Sequence, residues 1–200
     1  MIQVPVATYD FAGTGALSGD WTQLNTSAGA DFERLNGRGA PESSGALCFA
    51  RWSGAAFLDD QYSKMVAYDV NSYDHYALVG VRESGTTNND GYDFTADGAT
   101  GSPDHSVLNR FDGGVPTTLQ NFSTGGFSDG AVMKMTVVGT ELKMWVDDVQ
   151  VGSTEDDSTH SSGQPSAGCY DVGGTGEITD DWEGGNIISN VILRRRIEAA

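Results

Sequence analysis

Residues Val132 to Val151, VMKMTVVGTELKMWVDDVQV, alternate apolar and polar positions more regularly than any other stretch of the chain. Met133, Met135 and Val137 fall on one side, with Lys134 and Thr136 on the other. Beyond Gly139-Thr140 the alternation resumes: Leu142, Met144 and Val146 oppose Glu141, Lys143, Trp145 and Asp147. A period of two marks strands with one buried face. Gly139-Thr140 fits a two-residue hairpin, because glycine takes the positive φ that such turns need. Asp147-Asp148 is a second turn before Val149 and Val151, so the stretch predicts a meander.

The same reading gives strands at residues 2–11, 31–35, 46–52, 60–70, 74–83, 91–95, 105–112, 117–122, 167–172, 177–183 and 186–197. The strands at 60–70 and 74–83 read as a pair joined by Asn71-Ser72-Tyr73, and Gly113-Gly114 as a hairpin turn. Pro5 suits a sheet edge or a bulge, where no ladder donor is missed. Residues 152–164, with the run STEDDSTHSSG, read as a long acidic loop and the best candidate for a mobile segment. Many short strands without a helical stripe predict an all-β antiparallel β-sandwich of the jelly-roll kind. A length of 200 residues suits one such domain, spanning 1–200.

Charge narrows the function classes. The formal net charge is −17, which disfavours nucleic-acid binding because phosphates are repelled. No stretch has the length of a membrane span. The start, MIQVPVATYDF, lacks the basic and continuous apolar blocks of a secretory signal, which predicts synthesis in the cytoplasm unless a leader was removed. Asp outnumbers Glu 20 to 8, and Lys occurs three times against eight Arg. Short carboxylates hold hydration, and molar salt shrinks the Debye length to about 3 Å, removing their mutual repulsion. The composition therefore reads as halophilic, or as that of an ordinary acidic protein, such as one that binds calcium. Residues 194–200, RRRIEAA, form a basic tail that could dock on an acidic neighbour or on the domain itself. Cys48 and Cys169 lie in apolar contexts and are two buried thiols or a disulfide; spacing does not decide which.

Three segments, YDFAGTGALSGDW, GTELKMWVDDVQV and ITDDWEGGNI, resemble concanavalin A-like jelly-roll domains of the laminin-G-like kind. Asp148 stands where that hairpin usually has glycine. The resemblance implies that the first strand lies beside the last, bringing Phe11 near Trp182. It also implies a structural Ca2+ between the first turn and the closing strand, with Asp10 and Asp181 and turn carbonyls as oxygen donors. The fold so implied hosts lectins, glycan-binding modules, glycoside hydrolases and lyases, and surface proteins of tailed viruses.

Among candidate chemistry, the run from Glu177 to Glu183 invites a glycosidase reading, but its central Asp is displaced from the spacing that related hydrolases use. His75, His105 and His160 are scattered, and no nucleophile elbow is present. Trp145 alternates away from the Leu142/Met144/Val146 face, so it points onto a sheet surface, where it would stack on a sugar, fill an interface or simply pack. Trp52 and Tyr76, with Tyr62 and Tyr73 behind them, are companions for carbohydrate contact. These readings predict a non-enzymatic virion protein: a head decoration, turret or fibre component from a halophilic host. It would assemble as a homo-oligomer with other virion subunits and bind host glycans. The alternatives are a stand-alone, extracellular carbohydrate-binding module or lectin and, behind it, a polysaccharide hydrolase or lyase.

Overall fold

The computed structural model describes residues 1–25, 31–43, 45–68, 75–97, 106–122, 128–171 and 178–188. Among them there is no helix. The strands in chain order are β1 (Ile2–Tyr9), β2 (Gly15–Ala16), β3 (Trp21–Asn25), β4 (Phe32–Leu35), β5 (Arg38–Pro41), β6 (Ala46–Trp52), β7 (Gln61–Ala67) and β8 (His75–Glu83). They continue with β9 (Gly91–Asp97), β10 (Ser106–Asp112), β11 (Val115–Phe122), β12 (Val132–Val138), β13 (Glu141–Val146), β14 (Val149–Asp156), β15 (Gln164–Asp171) and β16 (Thr179–Ile188). They form two antiparallel sheets packed as a sandwich. One runs β14-β13-β12-β7-β16-β5-β4-β2, with β1 also paired to β16; the other runs β11-β10-β9-β8-β15-β6-β3.

Turn chemistry sets the hairpins. Asp147 and Asp148 both take positive φ (48° and 61°), as do Gly113 and Gly114, so each pair closes a turn whose twist matches its strands. Asp tolerates this conformation better than most residues, which is why Asp148 replaces glycine without loss of the turn. Asn36-Gly37 (φ 50° and 89°) closes a further hairpin between β4 and β5 that the strand reading overlooked. The register of β1 on β16 shifts between Pro5 and Ala7, so Pro5 does sit at a bulge.

The alternation in β12 and β13 decides the core. Met133, Met135, Val137, Leu142 and Met144 are buried between the sheets. At one end Phe11, Trp21, Trp52 and Trp182 form an aromatic cluster, with Trp52 stacked on Trp182 at 5.3 Å. Trp182 Nε1 donates to Ser63 Oγ (2.9 Å), which satisfies the one polar atom that ring buries.

Three expectations change. First, β7 and β8 do not pair: β7 lies between β12 and β16, while β8 lies between β9 and β15 in the other sheet. Alternation gives each strand a buried face but not the sheet it joins. Second, Gly184-Gly185 does not break the closing strand. β16 runs through both, because a Cβ on Gly184 would lie 2.7 Å from the Trp182 ring and one on Gly185 2.5 Å from Tyr62 Cε1. Third, the acidic segment is shorter and better anchored than expected, since β14 extends to Asp156. Asp157 accepts hydrogen bonds from Tyr92 Oη (2.8 Å), Arg110 Nη1 (2.9 Å) and the Thr159 N–H (2.8 Å). Burial pushes this carboxyl up, but the bonds from Thr159, Tyr92 and Arg110 outweigh it and hold it well below the usual carboxylate range. Residues 189–197 of the expected final strand, and the basic tail, lie outside the described residues.

Candidate functional site

The outer face of the seven-stranded sheet carries a polar row that register alone assembles. In β8, Ala77, Val79 and Val81 face the core, so Tyr76, Leu78 and Gly80 face outward. Pairing then sets Asn109 opposite Asp93, Asp93 opposite Gly80, Gly80 opposite Ser166, and Ser166 opposite Arg51. The next row runs Val107, Thr95, Leu78, Gly168, Phe49 and Leu24. The row beyond it brings Tyr76, Tyr170 and Leu47 side by side.

This face is concave. The rings of Phe49 on β6 and Phe111 on β10 meet edge-to-face at 6.2 Å between centroids. Their strands are four places apart, a span of about 19 Å on a flat sheet. The sheet must therefore curl over its outer side for the rings to touch. Gly80, Gly91 and Gly168 make the approach possible: a Cβ on Gly168 would lie 3.1 Å from the Phe49 ring, and one on Gly91 2.8 Å from the Glu83 carboxyl carbon.

Beside the two rings lies a groove of about 260 Å³, with Tyr76, Tyr170 and Leu47 at one end and Asp93, Asn109 and Thr95 among its polar lining. Tyr76 and Tyr170 are half-buried, with ring centroids 5.3 Å apart. Asp93 is fully buried. Its Oδ2 accepts from Thr95 Oγ1 (2.9 Å), and Asn109, held in turn by Thr118 Oγ1 (3.0 Å), also bonds to it. Its Oδ1 has no partner. Burial raises this carboxyl to about 7, and the Thr95 and Asn109 bonds offset only part of that.

Glu83 is also fully buried, and the positive φ of Arg82 (56°) marks the irregularity that precedes it. Glu83 Oε2 accepts from the Asp90 N–H (3.2 Å), while Oε1 has no partner. Burial first, and the neighbouring Asp93 second, push Glu83 well above the usual range. Ser166 Oγ is buried without a partner as well, as are both amide atoms of Asn89 in the loop that leads into β9. A buried polar atom left unpaired costs about 1–3 kcal/mol, so this face holds acceptors and donors with an unmet demand.

The residues picked from sequence for carbohydrate contact do not converge. Tyr76 lines the groove. Trp145 does face outward, but on the other sheet: it is half-buried, donates from Nε1 to Thr136 Oγ1 (3.2 Å) and has Lys134 Nζ 5.4 Å from its ring. It borders a hollow of about 240 Å³ together with Met1, Gln3 and Lys143. Trp52 is interior, with Trp182 stacked on it and the Trp21 ring at 5.1 Å, so it offers a ligand no free face. Tyr62 is buried too, and Tyr73 and His105 lie outside the described residues.

Asp10 and Asp181 do come together, as the resemblance implied, in a cleft of about 570 Å³ with Lys64 and Glu183. The donor set does not fit calcium, which takes six to eight oxygens. Asp10 Oδ1 already accepts from the Ala12 N–H (3.1 Å), the Lys64 ammonium shares the cleft, and among the described residues no three His, Cys, Asp or Glu side chains are placed to hold a metal. The glycosidase reading fares no better there. Glu183 is bound to Lys64 (3.1 Å) and Tyr62 (2.5 Å), and Glu177 lies outside the described residues.

No protein-family model matches the chain, and no curated protein matches its sequence. Solved structures do match in shape. The carbohydrate-binding module CBM66 from Bacillus subtilis aligns with TM-score 0.57 at 19% identity, over 84% of this chain and 92% of that one. The exoplasmic/lumenal domain of VIP36 in its Ca2+/mannose-bound form aligns with TM-score 0.58 at 9% identity, over 86% and 84%. Domain 4 of AbnA, an extracellular GH43 arabinanase from Geobacillus stearothermophilus, in complex with arabinotriose, gives 0.50 at 10% identity over 92% and 93%. The fold is the concanavalin A-like jelly roll. In this jelly roll the first strand lies along the last, as β1 does on β16, and Tyr9, the partner of Trp182, packs its ring against Phe11 at 4.9 Å.

The sequence reading missed Asp93, Asn109, Glu83 and Tyr170. In β9, Tyr92, Phe94 and Ala96 face the core, and alternation alone assigns Asp93 and Thr95 only to the opposite face, without showing that it is covered. The available signal was glycine at outward positions of neighbouring strands, Gly80, Gly91 and Gly168, which marks close approach by side chains.

Proposed function

We propose that this protein binds carbohydrate in the groove on the concave face of its seven-stranded sheet. The observation that carries the reading is Asp93 Oδ1, a buried carboxylate oxygen without a partner in a groove that also has aromatic rings. Sugar hydroxyls donate to a carboxylate, and the C–H faces of a pyranose or furanose ring pack on tyrosine rings such as Tyr76 and Tyr170. Asn109 and Thr95 hold the Asp93 carboxyl in one orientation. The net charge of −17 favours neutral over acidic glycans. The groove lining has one carboxyl group, whereas glycoside hydrolysis generally needs two astride the bond, which supports binding rather than turnover. The jelly-roll structures with mannose and arabinotriose bound support the same reading by analogy of fold.

Calorimetric titration with mannose- and arabinose-containing oligosaccharides, followed by a wider array of neutral glycans, tests it. Binding that Asp93→Asn weakens in a folded protein is expected. Failure to bind any neutral glycan, or binding that ignores Asp93→Asn, sinks the proposal.

Assembly into a larger particle, such as the surface of a virion, is the second reading, and one observation favours it. Among the described residues β1 pairs only with β16 and exposes Ile2, Val4 and Val6 along an edge. An exposed apolar edge strand is a template for another chain. Light scattering in high salt tests this, and a strict monomer at high concentration counts against self-assembly.

A further inference from the structure

Cys48 and Cys169 are the only cysteines in the chain, and β6 and β15 bring them into register as direct antiparallel partners. Their sulfur atoms lie 3.2 Å apart, and both residues are fully buried between the sheets. The Cys48 thiol is also 3.2 Å from the Cys169 carbonyl oxygen, to which it donates. Directly opposed residues in an antiparallel pair have Cα atoms about 4.5 or 5.5 Å apart. Both spacings fall inside the range of about 4.4–6.8 Å that a disulfide spans. With no third cysteine, pairing within the chain has one solution.

We propose that Cys48–Cys169 is a disulfide-forming site, filled when the chain folds in the presence of a small-molecule disulfide and left as a dithiol when it folds under reducing conditions. The chemistry is thiol–disulfide exchange. The thiolate of one cysteine attacks the disulfide of the oxidant, forming a mixed disulfide and expelling one oxidant thiolate. The second cysteine then attacks the mixed disulfide, closes the Cys48–Cys169 bond and releases the other oxidant thiol. Two cysteine thiols are oxidised, one oxidant disulfide is reduced to two thiols, and the two cysteine protons end on those thiols. Because neither sulfur reaches solvent in the folded sheet, exchange takes place while β6 and β15 are still open, and folding then fixes the outcome. The bond would cross-link the two strands one residue from Leu47 and Tyr170, but the proposal stands whether or not the groove binds sugar.

The test is to refold the denatured, reduced chain with glutathione disulfide and, separately, with excess dithiothreitol. Thiols are then counted in denaturant, and mass and melting temperature are measured. Oxidative refolding should give a monomer lacking two hydrogens, without free thiols or attached glutathione, that melts several degrees higher than the reduced form. Native reduced protein mixed with glutathione disulfide should keep both thiols. The Cys48→Ala/Cys169→Ala protein should melt alike under both conditions. Thiols that stay free after oxidative refolding, glutathione left on both cysteines, or disulfide-linked dimers would each overturn the proposal.

Discussion

The outer faces of the two sheets handle polar groups in opposite ways. On the nine-stranded sheet the three lysines of the chain lie together around Trp145, and each has a carboxylate: Lys64 with Glu183 (3.1 Å), Lys134 with Asp148 (2.7 Å) and Lys143 with Glu141 (2.8 Å). Lys64 and Lys134 are direct cross-strand partners, a repulsive arrangement that these acids neutralise. On the seven-stranded sheet, Asp93, Glu83 and Ser166 are buried deeper and each retains an atom without a partner. A charged row whose groups are all paired is complete as it stands. A buried row with unmet hydrogen bonds is where the proposed binding falls, and that contrast, more than the visible tryptophan, separates the two surfaces.

The largest effect that would sharpen this contrast is electrostatic. Asp93 is raised from an ordinary 3.8 to about 7, so between those values the folded chain holds a proton that the unfolded chain has released. Stability is then greatest below about pH 4 for this group and falls as pH climbs to 7, by roughly 4 kcal/mol at about 1.4 kcal/mol for each tenfold change. Glu83 acts in the same direction. Asp93→Asn should remove this part of the slope, seen as a smaller loss of stability between pH 4 and 7.5 in urea titrations of variant against wild type. Ligand affinity should move the other way and rise with pH through 7, because hydroxyl donors favour the ionised carboxylate. Identical pH profiles for Asp93→Asn and wild type would erase the distinction between the faces.

How much of this the sequence discloses depends on whether the deciding interaction is local. The β12–β13–β14 meander was legible because its alternation and its turns at Gly139-Thr140 and Asp147-Asp148 are consecutive in the chain. Trp145 was correctly set outward by parity alone. Trp52 was misjudged, since its side of β6 is the core side, and only the pairing with β15 and the neighbours Trp21 and Trp182 disclose that. Asp10 and Asp181 were brought to one cleft as the resemblance implied, but resemblance could not supply the missing oxygen donors. The groove was illegible because its residues come from β6, β8, β9, β10 and β15, whose adjacency is a property of topology. Its depth depends on sheet curvature, which no single strand encodes.

A smaller effect tests the faces as binding surfaces. Replacing a ring that packs on a ligand typically costs 1–2 kcal/mol or more, so Tyr76→Ala or Tyr170→Ala should weaken glycan binding about tenfold. Trp145→Ala should leave it unchanged, although that ring is the larger. Calorimetry on the three variants with one bound oligosaccharide decides between them. Loss confined to Trp145→Ala would move the site to the nine-stranded sheet and reverse the comparison.

The smallest effect belongs to the lysine face, and it turns on salt. Lys134→Gln removes one positive charge from a chain already at −17 and leaves Asp148 without its ammonium partner. Asp148 is held below the ordinary carboxylate range by its hydrogen bond and charge contact with Lys134, so the pair favours the folded state only while that carboxylate is ionised. The contact is exposed, and exposed pairs fade as ions screen them. In dilute buffer Lys134→Gln should therefore melt slightly below wild type, and in molar KCl the difference should close. Wild type itself should melt higher in molar KCl than in dilute buffer, because screening over about 3 Å relieves repulsion among its acids. Equal wild-type melting temperatures in both media would mean that the aspartate surplus is not an adaptation to salt. If the Lys134→Gln deficit persisted in molar KCl, that lysine would be contributing through packing on the Trp145 ring rather than through its charge.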